Sequence, residues 1–281
     1  MWQSIYQQLN DVLGKEQAWS APQPVGGSQQ HFHLSGNAHH LFIKLASRKE
    51  RDRLEAEYRA LQILNTTPCP QSPQPLMVGS SGKRSFIAMQ YIDLVHHGDW
   101  AQLGAAIAKF HASQAQRQYG WQEDNFIGPT PQKNAWHNNW AMFFAEQRVG
   151  FMLQLLKERG VEFADIQTVV SNVHKLLSGH QPAASPLHGD LWSGNVGFYQ
   201  QQAFWFDPAF YFGDRETDIA MAELFGGFPP AFFSGYNQQW PLTESYQWRK
   251  PVYQLYHLLN HCLLFGDSYH SATTLIIDNL Q

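Results

Sequence analysis

The chain has 281 residues, a formal net charge of −4 and two cysteines, Cys69 and Cys262. That is enough chain for a sizeable core and for two lobes. It offers no electrostatic footprint for nucleic acid or an anionic membrane, no disulfide framework, no apolar run near the roughly 18–20 residues of a membrane span, and no signal-peptide start. A cytoplasmic protein with reduced thiols is the expectation.

Trp2, Ile5, Tyr6, Leu9, Val12 and Leu13 recur at helical spacing, so the chain opens on an amphipathic helix. Beyond Pro22 and Pro24 come Gly26, Gly27 and Ser28, then the alternating His31–Leu34. Glycines so placed make a plain hairpin turn or let backbone N–H groups approach an anion. His39–Leu45 reads as a strand with Lys44 between Ile43 and Leu45. The helix after it, about Arg48–Leu64, carries Glu57 beside the inward-facing Leu54, Tyr58 and Leu61. Pro68, Pro70, Pro73 and Pro75 exclude a helix over Thr67–Pro75. Leu76–Gly79 and Ser85–Ile92 read as two strands about a Ser80–Arg84 turn, and a linker begins at Gln90, Tyr91 and Ile92.

The remainder is mainly helical. Asp99 is positioned to cap a helix to about Ala115, with Leu103, Ile107, Phe110 and His111 inward; His111 reads as a satisfied core histidine. Gly120–Trp136 is a long polar and aromatic loop containing Asp124, and loops of this length inside a compact domain tend to be functional. Further helices are predicted at about Trp140–Arg159, Glu162–Leu177, Glu216–Phe225, Pro230–Gln239, Tyr246–Phe265 and Ser268–Leu280. The doublets His39-His40 and His96-His97 lack ligand partners at convincing spacing and read as surface residues. The expected organisation is α+β: residues 1–92 as a small lobe of antiparallel sheet and helix, residues 93–281 as a larger, mainly helical lobe.

The chemistry concentrates in Pro186–Asp207, PLHGDLWSGNVGFYQQQAFWFD. Its polar residues Asp190, Asn195 and Asp207 interrupt apolar surroundings in the pattern strand, loop, strand ending on a carboxylate. A hairpin there would bring Asn195 and Asp207 together with Asp190 beside them. Carboxylate and amide oxygens are ligands for Mg²⁺, and a further carboxylate is left to receive a proton from a hydroxyl: the needs of phosphoryl transfer. Asp190-Leu191-x-x-x-Asn195 matches the kinase catalytic loop, with His188 in the place of its His. Gly189 stands where that loop has Arg, and Pro208-Ala209 follows Asp207 in place of Phe-Gly, so eukaryotic protein kinases fit poorly. In a two-lobed protein-kinase-like fold Asp190 is the base, and Asn195 and Asp207 hold Mg²⁺. In such a fold Lys44 paired with Glu57 would reach the phosphates of ATP, Gly26, Gly27 and Ser28 would be the phosphate loop, and Gln90, Tyr91 and Ile92 would offer backbone groups to adenine; a solvent-facing lysine, a plain hairpin turn and a simple strand end are the alternatives.

LHGDLWSGN at Leu187–Asn195, DPAFYFGDRETDIAM at Asp207–Met221, LFGGF at Leu224–Phe228, DNFIG at Asp124–Gly128 and FFAEQR at Phe143–Arg148 resemble the fructosamine/ketosamine-3-kinase family. The resemblance extends over most of the chain. It implies a protein-kinase-like fold close to that of aminoglycoside phosphotransferases, and transfer of the γ-phosphoryl group of ATP to the 3-hydroxyl of a ketosamine, free or protein-bound. The product is unstable, which implies a role in deglycation. The resemblance makes Trp192 a candidate platform for the sugar, with Asp124 and Asp214 as further substrate candidates. Asp218 is expected to brace the catalytic loop by accepting backbone N–H bonds. The glycine loop departs from the family: the segment before Leu34 looks about one residue short. The alternatives are a kinase of another small hydroxyl compound, such as an aminoglycoside or choline, and a non-catalytic kinase-like binding module.

Overall fold

The computed structural model of the chain describes residues 1–66, 70–113 and 116–280. Cys69 and the end of the helix expected to reach Ala115 lie outside the described residues. The chain divides into two compact units, Met1–Asp99 with Val196–Asp207, and Trp100–Asn195 with Pro208–Gln281.

The first unit is built on one antiparallel sheet. Its elements are α1 (Trp2–Leu13), β1 (Gln23–Pro24), β2 (His31–Ser35), β3 (His40–Ser47), α2 (Arg51–Leu64), β4 (Pro75–Ser81) and β5 (Arg84–Gln90). Strand order is β1-β2-β3-β5-β4. The alternation of β3 decides which face each residue serves. Leu41, Ile43 and Leu45 pack with Ile5 and Leu9 of α1. Phe42 and Ala46 pack with Leu54 and Leu61 of α2. The same period puts Lys44 on the α2 side, toward Glu57. Each fully buried leucine contributes roughly 1.5–3 kcal/mol, so two apolar layers fix the strand that carries this lysine.

A separate hairpin, Val196–Tyr199 with Gln202–Trp205, belongs to this unit. Phe198 pairs with Val95, and Phe204 bridges to Gln71. Its turn places Gln200 and Gln201 at φ 48° and 67°, a region that usually takes Gly or Asn. The expected hairpin is therefore present, Asn195 directly preceding it and Asp207 following it by two residues. The short strand before the catalytic loop, Ser185–Leu187, pairs elsewhere, with Tyr211–Gly213.

The second unit is mainly helical. The helices at Pro230–Gln239 and Tyr246–Phe265 have their expected bounds. The expected Trp140–Arg159 helix carries a central π-helical stretch, Phe143–Gly150, between α-helical turns. The expected helix from Glu162 begins later, at Ile166, where the Asp165 side chain caps the N–H of Thr168 at 2.8 Å. The Gly120–Trp136 loop holds a small hairpin of Asn125–Ile127 and Thr130–Gln132. Among the described residues no helix is long and apolar enough to cross a membrane.

His257 is buried on the Tyr246–Phe265 helix, and its Nδ1 has no hydrogen-bond partner among the described residues. Burial, with His261 adding to it, pushes its pKa down to about 3. Between the ordinary histidine value and that one, the unfolded chain binds a proton that the folded chain refuses, so stability falls as pH drops through this window and is whole above it. His257→Phe should flatten the decline of Tm between pH 6.5 and 4 by several degrees; an unchanged slope in thermal scans across that range would refute the assignment.

Candidate active site

In the first unit, Lys44 Nζ donates to Glu57 Oε1 at 2.8 Å and to Asp207 Oδ1 at 2.7 Å. Lys44 and Glu57 are 12 % exposed and Asp207 46 %, so the ammonium is held from the buried side by one carboxylate and from the open side by the other. Burial acts to lower the Lys44 pKa, but the two carboxylates outweigh it and the net shift is upward. Glu57 is pushed up to about 7, by burial first and against the pull of Lys44, with the Asp207 charge adding to the rise. Burial also works against ionised Asp207, yet Lys44 holds its pKa below the usual carboxylate value. Asp207 sits at φ 55°, a costly conformation for a residue with a Cβ and one that clusters at functional sites.

The same unit contains a cavity of about 290 Å³ between Lys44 and the end of β5, at the small end of ligand pockets. Val25, Phe42, Met89, Ile92, Leu94 and Phe206 give it apolar walls, with Lys44 and Asp207 as its charged side. Gln90, Tyr91 and Ile92 line it. The N–H groups of Gln90 and Tyr91 donate to the carbonyls of Gln74 and His40, whereas that of Ile92 has no backbone partner among the described residues. Gly26 and Gly27, at φ 62° and 69°, form a tight turn closed by Ser28 N–H to Val25 O at 3.2 Å. Of that loop only Val25 borders the cavity. The glycines thus stand in the turn that joins β1 to β2. His31, which the sequence reading passed over, also lines the cavity; burial first, then Lys44, lowers its pKa.

In the second unit, Asn195 Nδ2 donates to Asp190 O at 3.0 Å and to Asp190 Oδ2 at 3.2 Å. The loop beneath them hangs on Asp218, whose oxygens accept the N–H groups of His188 at 2.8 Å and Gly189 at 2.9 Å. His111 Nε2 lies 3.1 Å from the same carboxylate, and His111 Nδ1 lies 2.8 Å from the Tyr236 hydroxyl. Arg215 in turn donates to Tyr236. Burial opposes the charge on Asp218, but the hydrogen bond and charge of His111 hold its pKa below normal. The expected roles of Asp218 as brace and His111 as satisfied core histidine match this geometry. Gly189 explains the missing Arg: at φ 82° a Cβ there would stand 2.0 Å from the carbonyl oxygen of Ala209.

A buried amide network under the loop had no counterpart in the sequence reading. Gln132 Nε2 donates to Asn125 Oδ1 and to the carbonyl of Ala209, Asn125 to that of Phe210, Asn134 to Asn125 Oδ1, and Tyr256 to Gln132 Oε1. Arg148, fully buried in the π-helical stretch, donates to Asn134 and to the carbonyl of Lys133 and lies 4.0 Å from the Tyr211 ring centroid. The signal available in sequence was three amides between aromatic residues, next to an arginine in an apolar helix.

Two substrate candidates are engaged by neighbouring side chains and backbone. Asp124 is paired with Lys133 at 2.7 Å and accepts the N–H of Asn134 at 2.9 Å, so it ties its own loop. Asp214 is 1 % exposed; its oxygens take His180 at 2.7 Å, the Tyr253 hydroxyl at 2.6 Å and the N–H of Glu216. Neighbouring Glu216 is filled by Arg249 through two contacts of 2.7 Å. His180, Asp214 and Glu216 bring ligand atoms within 4.8 Å of one another, and each of these residues is already engaged in one of these hydrogen bonds or ion pairs.

Asp218→Asn places an amide N–H₂ against loop N–H groups and removes the buried charge that His111 faces. It should cost about 2–4 kcal/mol in urea unfolding, in the range for breaking a buried charged network. A loss under half a kcal/mol would dismiss the brace.

A lysine held by a helix glutamate on an antiparallel sheet, and an Asp-x₄-Asn loop on a helical unit, define a kinase-like protein. The chain belongs to the fructosamine kinase family, which it matches over residues 1–281. A Vibrio parahaemolyticus protein named probable ketoamine kinase is 40 % identical over 285 residues, covering 100 % of this chain and 99 % of the relative. The crystal structure of a Haemophilus somnus protein named as a fructosamine-3-kinase superposes with a TM-score of 0.94 at 34 % identity, covering 100 % of this chain and 97 % of the other. Choline kinase from Streptococcus pneumoniae, at 14 % identity and TM-score 0.66 over 100 % and 98 % of the two chains, shares the fold alone. The fold is thus the two-lobed protein-kinase-like one.

Proposed function

We propose that this chain is an ATP-dependent kinase that phosphorylates the 3-hydroxyl of a ketosamine, in the removal of early glycation adducts. The observation that carries the reading is that a chain matching the fructosamine kinase family from end to end keeps Lys44 clamped between Glu57 and Asp207. In this reading residues 1–92 bind the nucleotide and residues 93–281 carry the base and the acceptor.

Lys44 provides a fixed positive charge for the phosphates, and Glu57 holds it in place. The base of ATP enters the apolar cavity against Ile92. Asp190 accepts the proton of the attacking hydroxyl, and Asn195 orients its carboxylate. Because the Asn195 amide nitrogen is turned to Asp190, its carbonyl oxygen is the atom left for a metal. That oxygen and the Asp207 carboxylate are each hard-ion donors of the kind Mg²⁺ takes, and a bound Mg²⁺ would neutralise charge on the transferred phosphoryl group. Trp192, 40 % exposed two residues beyond the base, offers an aromatic surface to the sugar. A polycationic acceptor would need free acidic groups, whereas Asp124 is paired with Lys133 and Asp214 is enclosed.

The test is phosphorylation of a panel of ribulose-, psicose- and fructose-amines, with free and peptide-bound lysine as the amine. Turnover on at least one is expected; ATP-dependent turnover only on choline or an aminoglycoside would replace the reading. Asp190→Ala should lower turnover by about 10²–10⁴ with the fold intact, and an unimpaired kcat would remove Asp190 from the chemistry. Asp207→Asn should weaken MgATP binding about tenfold or more in calorimetry, and equal affinity would count against the metal assignment.

A further inference from the structure

The Asp190–Asn195 loop is wound so tightly that its residues position one another. The Trp192 N–H donates to Asp190 O at 3.1 Å, and the Asn195 N–H to Trp192 O at 3.0 Å. The indole of Trp192 folds back over Gly194. A methyl group on Gly194 would stand 2.2 Å from Cη2, 2.4 Å from Cζ2 and 2.6 Å from Cζ3 of the ring. Near-equal distances to three consecutive ring atoms place Gly194 beneath the ring face; an edge-on approach would leave the two outer atoms much farther off than the middle one. Only hydrogen fits under the indole, and Trp192 is still 40 % exposed. Ser193, between them, is held by a second glycine. Gly227, at φ +88° in the LFGGF turn, passes so close that a methyl there would meet Ser193 Oγ at 2.1 Å and Cβ at 2.6 Å.

We infer that Gly194 is a positioning residue for the acceptor: by having no side chain it lets the Trp192 ring lie flat on the catalytic loop, with its opposite face turned outward for the sugar. Gly227 fixes the intervening Ser193 and so the plane of the platform. The inference rests on the proposed role of Trp192 as the sugar platform. Its chemical sense is orientation. A hydroxyl in line with a phosphoryl group reacts only when the sugar is placed correctly, and small misplacements are costly. The outer atoms of an indole are the movable end of a side chain, so a methyl at position 194 should lift the ring and leave the loop backbone in place.

The experiment is a double-mutant cycle of Gly194→Ala and Trp192→Ala, read as KM and kcat for a fructose-amine, KM for MgATP, and Tm. Gly194→Ala alone should lower kcat/KM for the fructose-amine by roughly tenfold to a hundredfold, with the KM for MgATP changed less than about twofold. In the Trp192→Ala background the same substitution should have no further effect, the signature of two residues acting through one contact. An equal loss in both backgrounds, or no loss in either, overturns the inference while leaving the kinase reading in place. If Trp192→Ala itself leaves kcat/KM for the fructose-amine intact, the platform reading fails and this inference with it. Should Gly194→Ala fail to fold, the double variant decides: recovery of a wild-type Tm supports the steric contact, and continued unfolding refutes it.

Discussion

The catalytic loop depends on a buried carboxylate. Asp218 is withdrawn from water, which penalises its charge, and the penalty is offset only because every donor around it is a group that also needs a partner. Two of those donors are the N–H groups of His188 and Gly189, which lie where Ser185–Leu187 has ended and no strand bond remains for them. The third is His111, itself fixed by Tyr236 and, through it, by Arg215. Charge and loop path are therefore mutually required. The Asp190 carboxylate projects from a braced backbone, and in the proposed reading that bracing is the preorganisation phosphoryl transfer relies on.

The Lys44 cluster follows the opposite logic. Two carboxylates meet one ammonium, and burial first, with the Asp207 charge adding to it, pushes the Glu57 pKa up against the pull of Lys44. In the proposed reading a divalent ion takes the Asp207 carboxylate, and Lys44 is freed to face phosphate. Asp207, in left-handed backbone, lines the cavity with a half-exposed carboxylate.

Polar residues were legible in the sequence where spacing along the chain carried the information. Asp190, Asn195 and Asp207 stand out because they punctuate a short apolar stretch, and Lys44 and Glu57 because strand alternation and helix periodicity each select a face. The amide network of Asn125, Gln132, Asn134 and Tyr256 was not legible, since its partners lie up to 124 residues apart. The partners of Asp214 were hidden for a related reason. A carboxylate in a motif looks available until Tyr253 and His180, contributed from distant segments, are seen to occupy it. The π-helical stretch at Phe143–Gly150 was equally silent, because its apolar pattern over eight residues is compatible with an α-helix.

By itself, the sequence determined the α+β composition, the strand that carries Lys44, the helix that carries Glu57 and the chemistry of the Asp190–Asp207 stretch. These follow from local periodicity and from residue types whose spacing is set by the chain. Tertiary structure alone decided which groups are available. It enclosed Asp214, tied Asp124 to Lys133, spent the N–H groups of Gln90 and Tyr91 on neighbouring carbonyls and laid the Trp192 ring over Gly194. Hydrogen bonds saturate and atoms exclude one another, and both constraints act between residues that only folding brings within a few ångströms.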